Sequence, residues 1–261
     1  MNKFLLRALV LASVNIAVLA NAQFFRTRNR MDKLEDFDEQ KFSWGFFLNG
    51  NMLDYRIVLN PRYGTYGNQN LVTSKESTSF GAGLIAKWRL NDYLDLRMEP
   101  GLQFAQRKLT FNTQYNDQYQ FGTLTNDPFV PMNLTDKDKN REVKSTLVDI
   151  PVLLELHGHR WYNSRPYIAA GVNYIVNLQS NSDSTDDNMQ QVFRSTTHNF
   201  AWSAEMGIQF YFNKFKLTPA IRGTFFMNNE IVADNATTPP YWASAISTLQ
   251  TRAILFVLKF E

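Results

Sequence analysis

Between Phe80 and Phe104 apolar and polar residues take turns along the chain. Phe80, Ala82, Leu84, Ala86, Trp88 and Leu90 alternate with Ser79, Gly81, Gly83, Ile85, Lys87 and Arg89. After a short break, Leu94, Leu96, Met98, Pro100, Leu102 and Phe104 alternate with Asp95, Arg97, Glu99, Gly101, Gln103 and Ala105. A period of two places each set on one face of a strand. The apolar face runs for about ten residues, the length of a tilted membrane-crossing strand. A soluble sandwich would bury that face in a dry core. A membrane barrel would turn it to lipid and keep the charged face inside. The hairpin alone fits both.

Its register follows from its faces. Trp88 and Leu96 must lie on one side, so Leu90 stands opposite Leu94 and the loop is Asn91-Asp92-Tyr93, a three-residue type that commonly carries a bulge. The same register sets Arg89 opposite Asp95, a favourable cross-strand pair.

Six further strands show the same period. Phe42, Trp44, Phe46 and Leu48 precede the hairpin, separated from it by a polar, aromatic stretch from about Asp54 to Glu76. Behind the polar stretch from Leu109 to Arg141 come Val148, Ile150, Val152, Leu154 and Leu156, with Asp149, Leu153 and Glu155 on the opposite face. Pro151 there removes a ladder donor, which predicts a bulge or weakened pairing. Ile168 to Val176, Phe200 to Phe210, Leu217 to Phe225 and Ile254 to Phe260 complete the set.

Connections after strands one, three, five and seven are long; those after two, four and six are short. That asymmetry predicts an all-β fold, an eight-stranded antiparallel transmembrane β-barrel with long extracellular loops and short periplasmic turns, in the bacterial outer membrane. Closure is required because lipid cannot satisfy an open strand edge. Tyr93, Trp161, Tyr162, Tyr211 and Phe212 fall at or beside the short connections and are expected at the inner headgroup boundary.

The first residues suit that destination. Lys3 and Arg7 precede an apolar run from Ala8 to Ala20, and Ala20-Asn21-Ala22 forms a small-x-small cleavage site, so residues 1–22 read as a signal peptide. Residues 23–40 read as a charged, solvated periplasmic lead-in, or as a docking segment for another protein. Residues 41–261 are assigned to the barrel.

Composition narrows the function classes. The formal charge is +3, and two of those surplus cations are Lys3 and Arg7 in the leader. The remaining basic residues are mixed with acidic ones, which removes the case for nucleic acid. The chain has no cysteine, so disulfides, thiolate metal sites and thiol nucleophiles are excluded.

The predicted inward face collects Lys87, Arg89, Asp95, Arg97, Glu99, Asp149, Glu155, Glu205, Lys216 and Arg222. A barrel of eight strands is filled by its own side chains, so these charges are expected to pair as a structural lumen network. Glu99 and Glu155 could be a catalytic pair only if their carboxylates met at working distance. His157 and His159 lack a third ligand and read as turn residues. Asp183, Asp186 and Asp187 lack the glycine and closing glutamate of a calcium loop. His198, at the outer start of a strand, is the one candidate for chemistry on lipid. No GxSxG, HExxH or phosphate-binding glycine loop occurs. Neither a catalytic site nor a cofactor or metal site is expected.

With its strands in place, the chain resembles the PorT-type outer-membrane proteins of the type IX secretion system from about Leu34 onward. The likeness rests on Asp36-Phe37-Asp38 before Trp44-Gly45-Phe46, and on Leu96-Arg97-Met98-Glu99-Pro100-Gly101. It continues in Ile150-Pro151-Val152-Leu153-Leu154, Arg165-Pro166-Tyr167, and Pro219-Ala220-Ile221-Arg222-Gly223. It ends in Thr251-Arg252-Ala253 and Val257-Leu258-Lys259-Phe260-Glu261. The resemblance implies a non-enzymatic accessory or assembly role in exporting cargo such as proteases or gliding adhesins. Its expected partners are outer-membrane lipid and other secretion-system envelope proteins. A structural or adhesive barrel, and an outer-leaflet lipid-modifying enzyme, are the alternatives.

Overall fold

Alternation sustained over long runs, with few residues that break it, makes strands the dominant element. The computed structural model describes residues 33–61, 64–66, 68–111, 139–184, 193–233 and 242–261. The signal peptide expected at 1–22 and the first part of the lead-in lie outside these residues.

Among the described residues, twelve strands follow in order: β1 (Phe42–Leu59), β2 (Thr65–Tyr66), β3 (Gln69–Asn70), β4 (Val72–Lys75), β5 (Ser77–Arg89), β6 (Leu94–Met98), β7 (Gly101–Phe111), β8 (Asn140–His157), β9 (Ser164–Asn177), β10 (His198–Tyr211), β11 (Lys216–Phe226) and β12 (Ile246–Phe260). β4 with β5, and β6 with β7, each make one interrupted stave, while β2 and β3 form a small hairpin of their own. Neighbouring staves pair antiparallel. β1 pairs with both β12 and β5, which closes a ring of eight staves; at the outer end β4 is paired along one edge, with β7.

The interruptions have a chemical cause. Pro100 separates β6 from β7 and lies beside Pro151 on β8, so two missing N–H donors fall at one place in the ladder. Met98↔Val152 and Gly101↔Asp149 keep one register across the gap, so the pairing is weakened there without a bulge. Pro219 interrupts the β10–β11 ladder in the same way.

The two faces are sharply divided. Trp44 is 75 % exposed, Leu84 65 % and Trp88 60 %, and Met206, Ile254 and Phe256 also face outward. Large apolar groups exposed all round a closed ring are stable against lipid, not water. Trp88 and Met98 face outward as the hairpin pattern predicts, with Leu96 part-buried in the same row. Phe47 points inward over Gly83 and Gly101, where an added Cβ would lie 2.6 and 2.7 Å from its ring.

Several strands run further than the sequence reading expects. β1 extends through Leu59 and β4 begins at Val72, within the stretch read as a loop from Asp54 to Glu76. β7 continues to Phe111 and β8 starts at Asn140. In these extensions the chemistry of the faces inverts. Leu53, Tyr55, Leu109, Phe111 and Val143 point inward and are buried, while Asp54, Arg56, Lys108 and Lys144 point out. Beyond the apolar band the sheet behaves like that of a soluble protein, with Val72, Ala245, Ile246 and Leu249 joining the inner cluster.

Candidate functional site

In the lumen, charged side chains from many staves meet. At its centre Arg97 of β6 is ion-paired to Glu155 of β8 and Glu205 of β10, with its Nε 2.6 Å from Glu99. Arg222 of β11 donates through Nε to Glu205 at 2.7 Å and is also paired with Glu99. Lys259 of β12 donates to Glu99 at 2.7 Å and to Glu205 at 2.5 Å. Tyr167 and Gln209 add hydrogen bonds to Glu205 and Glu155 at 2.7 and 2.5 Å. Arg97, Glu99, Glu155, Arg222 and Lys259 are fully buried. Three cations and three carboxylates therefore neutralise one another across the interior. Such a cluster persists only when every charge has a partner.

A second group lies nearer the short turns. Lys87 pairs with Asp95 at 3.1 Å, and Lys216 pairs with Glu261 at 2.5 Å. His157 is not a turn residue as expected: it ends β8, buried, with Nε2 3.1 Å from Asp95. His159 packs edge-on against Tyr93. Arg89 departs from its expected place in the lumen network. It stands opposite Asp95 in register, yet pairs with Asp92 of the turn at 2.5 Å and donates to the Glu39 carbonyl at 3.3 Å. Lys87 and His157 both bond Asp95 Oδ2, while Arg89 is at the open end of the stave, where its long side chain reaches the rim. Asp149 is buried, has no ion pair among the described residues, and accepts from Asn173 Nδ2 at 2.8 Å.

The short-turn mouth is covered. Residues Glu35–Glu39 form a 3₁₀ turn, in the stretch read as solvated lead-in, and the unit containing the barrel begins at Leu34. Asp38 accepts a hydrogen bond from Tyr211 at 2.8 Å and lies 3.6 Å from both Arg160 and Arg165. The Lys216 ammonium sits 4.9 Å over the ring of Phe37. This corrects the assignment of Tyr211 to the headgroup boundary: it is the last inward position of β10, is 2 % exposed, and its hydroxyl faces the cap. Trp161, Tyr162 and Tyr93 are exposed at that end, and Phe212 stacks on Phe215 at 4.9 Å.

The opposite end has its own clamp. Arg107 of β7 donates to Thr251 and Ser145 at 2.6 Å each and to Glu230 at 3.4 Å, while its guanidinium lies 4.7 Å over Tyr55. Glu230 belongs to the connection after β11, which is bridged to the one before β10 through Ser195 and Ile231. Burial pushes the Glu230 carboxyl above its ordinary range despite Arg107 beside it. Arg194 ties the same two connections by donating to the carbonyls of Ser184 and Ala233. His198 lies on the outer face with Nδ1 2.7 Å from the Tyr174 hydroxyl and its ring stacked on that tyrosine. Among the described residues no group of three or more His, Asp or Glu is placed to hold a metal ion.

Lys259, Arg107, Glu230 and Glu261 carry this architecture and are missing from the sequence-derived set. Lys259 is the one charge in the inward row Thr251, Ala253, Leu255, Val257, Lys259, a row readable from the outward Phe256, Leu258 and Phe260. Glu230 has no such signal, since it lies outside any strand.

The family whose profile matches residues 21–232 is described as "Outer membrane protein beta-barrel domain". Among solved structures, the chain is similar to Neisserial surface protein A (NspA), at 9 % identity and TM-score 0.39 over 84 % of this chain and 98 % of that one. It is similar to OprG from Pseudomonas aeruginosa at 14 % identity and TM-score 0.38, over 84 % and 93 %. Ail, the attachment invasion locus protein of Yersinia pestis, matches at 8 % identity and TM-score 0.35, over 85 % and 98 %. A search of the curated proteins found no match.

Proposed function

We propose, for a chain that belongs to the outer membrane protein beta-barrel domain family, a non-enzymatic and non-conducting role as an accessory or assembly component of protein secretion of the type IX kind. The observation that carries this reading is the neutralised cluster of Arg97, Glu99, Glu155, Glu205, Arg222 and Lys259 across the lumen. An interior occupied by its own side chains offers no path for a polypeptide. The protein then works through what it presents at its two ends: the lead-in on the periplasmic side and four long connections outside. The resemblance in Arg97-Met98-Glu99-Pro100-Gly101 and Pro219-Ala220-Ile221-Arg222-Gly223 supports secretion as the process served. It also gives the cluster a part in the reading, because Arg97, Glu99 and Arg222 lie within those motifs.

Deleting the gene and following secreted cargo tests the role. Retained or unprocessed cargo is expected, and normal export overturns it. In planar bilayers the purified protein is expected to show no steady conductance.

An adhesive role is the second reading. It is favoured by the ties between the outer connections through Ser195, Ile231 and Arg194, which support an ordered outer platform. Replacing those connections while following both cargo export and cell attachment separates the two.

A further inference from the structure

The outer surface of the stave pair β4–β7 carries a like-charge contact that the register has to be shifted to produce. β5 and β7 pair as Gly81↔Gln103 and Gly83↔Gly101. Continued outward, that register would set Glu76 opposite Lys108, an attractive pair. β4 instead pairs as Val72↔Phe111 and Lys75↔Lys108, one residue out of step. The extra residue between the two registers falls at the β4–β5 junction, where a bulge re-aims the side chains that follow. Its effect is to replace glutamate by lysine across from Lys108. Like charges directly opposite on a sheet repel, so the shift costs stability unless something external offsets it.

Two more observations give the patch a direction. Lys144 lies on the adjoining stave β8, diagonal to Lys108, whose partner is Glu142. Glu142 is shared, 3.6 Å from Lys108 and 3.4 Å from Lys144, and also accepts from Gln106. Lys75 has no ion pair among the described residues, nor does Glu76. Two ammonium groups thus share one carboxylate, their side chains 53 % and 68 % exposed, and a third, Lys75, stands opposite Lys108 on its other side. The patch also sits at a defined height. Phe80 and Phe104, in contact at 4.9 Å, are the last large apolar outward residues of β5 and β7. Lys108 is four residues beyond Phe104, about 13 Å along a strand of ~3.3 Å rise and less in height once the strand is tilted. That is the level of headgroups in the outer leaflet.

We propose that Lys75, Lys108 and Lys144 form a binding site for the phosphate groups of outer-leaflet glycolipid. Ammonium groups on flexible stems reach a phosphate at the edge of the apolar band, and the phosphate removes the repulsion that the bulge creates. The site is separate from the lumen and does not depend on the secretion reading.

Purified full-length protein in neutral detergent micelles, titrated with lipid A carrying two phosphates, tests the site. The readout is the shift in its heat-induced change of gel mobility. The wild type is expected to be stabilised by phosphorylated lipid A, but not by dephosphorylated lipid A or by millimolar inorganic phosphate. Each lysine near an anionic surface contributes about a five-fold effect, so K75Q/K108Q/K144Q is expected to bind at least tenfold more weakly. K75E alone, which installs the charge the register avoids, should lose most of the response while the protein stays folded. Equal binding by either variant, equal binding of the dephosphorylated lipid, or an equal response to inorganic phosphate overturns the proposal.

Discussion

Lys259, on the last strand, donates to Glu99 across the lumen at 2.7 Å, joining two staves that do not touch in the ring. The same ammonium reaches Glu205 on β10. Two carboxylates and two guanidinium groups are thereby held at one level of the barrel, and each depends on the others for neutrality. Replacing Lys259 by Met leaves Glu99 and Glu205 short of a cation in a buried setting. Removing one partner of a buried pair costs about 3–5 kcal/mol. Urea unfolding in lipid vesicles should show a loss of that size. K214M, which alters an exposed lysine in the turn before β11, should change stability by roughly 0.5 kcal/mol or less. A K259M protein as stable as the wild type would mean that the cluster does not hold the interior together.

The exterior makes a separate demand. Leu84 is 65 % exposed and stands within the apolar band on β5, next in its row to Ala82 and Ala86. Arginine at mid-depth on the lipid face of a barrel costs about 2–4 kcal/mol, falling to about 0–1 near the interface. L84R should therefore be several-fold more damaging than T78R, three pleats outward on the same face. Folding yields into vesicles would show the difference, and equal yields would displace the band from the height assigned to it.

Two glycines separate steric need from tolerance. A Cβ at Gly171 on β9 would lie 2.0 Å from the Val152 carbonyl oxygen, a backbone atom that cannot rotate away. At Gly50, facing outward on β1, an added Cβ meets nothing within 4 Å. G171A is expected to lower the urea midpoint clearly, while G50A should leave it unchanged or raise it slightly by reducing the freedom of the unfolded chain.

How much of this was legible follows from one physical rule and its limits. Alternation alone located eight staves, and its phase assigned Arg97, Glu99, Glu155, Glu205, Lys216 and Arg222 to the interior. Alternation is legible only where the outer row is apolar, and on β1 that row gives way to Gly50 after Leu48. Past Met52 the parity continues but the polarity reverses, with Asp54 and Arg56 outside and Leu53 and Tyr55 inside, because water replaces lipid. That reversal hid the outer parts of β1, β7 and β8, and Arg107 with them. Tyr211 departs for a different reason: it lies beside a turn, but its odd position belongs to the inward row of a strand whose even members, Phe200 to Phe210, face out. Arg89 shows that register fixes which Cα atoms stand opposite but not which side chains pair, when Lys87 and His157 compete for the same acid. The cap by Asp38 has no periodic signal, since it depends on where the chain enters the mouth.

Acid should loosen the periplasmic end. Glu261, just past β12, is buried, which by itself raises its pKa, but Lys216 and Lys87 bring it down to about 2 from an ordinary 4.5. The folded value lies below the unfolded one, so its stabilising contribution is fully present above about pH 4.5 and is lost as pH falls toward 2. The gap in urea midpoint between wild type and E261Q should accordingly be widest at pH 7 and narrow steadily below pH 4.5. A gap constant down to pH 3 would mean that the carboxylate contributes no charge-dependent stability.

The cap supplies the last test, because it decides what the lead-in can do. Asp38 is held by Tyr211 at 2.8 Å and by Arg160 and Arg165 at 3.6 Å each, with Phe37 against Lys216. Tyr211 and Lys216 are buried and the side chains of Asp38, Arg160 and Arg165 are only 12–18 % exposed, so three of these ties converge on one largely buried carboxylate. D38A removes three of them at once while leaving the ring of staves intact. Trypsin should then cut after Lys41 faster than in the wild type, with the barrel itself still resistant. Arg89 donates to the Glu39 carbonyl from the end of β5, so R89A should speed cleavage too, by a smaller factor. Cleavage at the wild-type rate in D38A would mean that the segment is held by something other than the carboxylate. If cleavage does accelerate, residues 35–39 are held at the short-turn mouth chiefly through that one carboxylate.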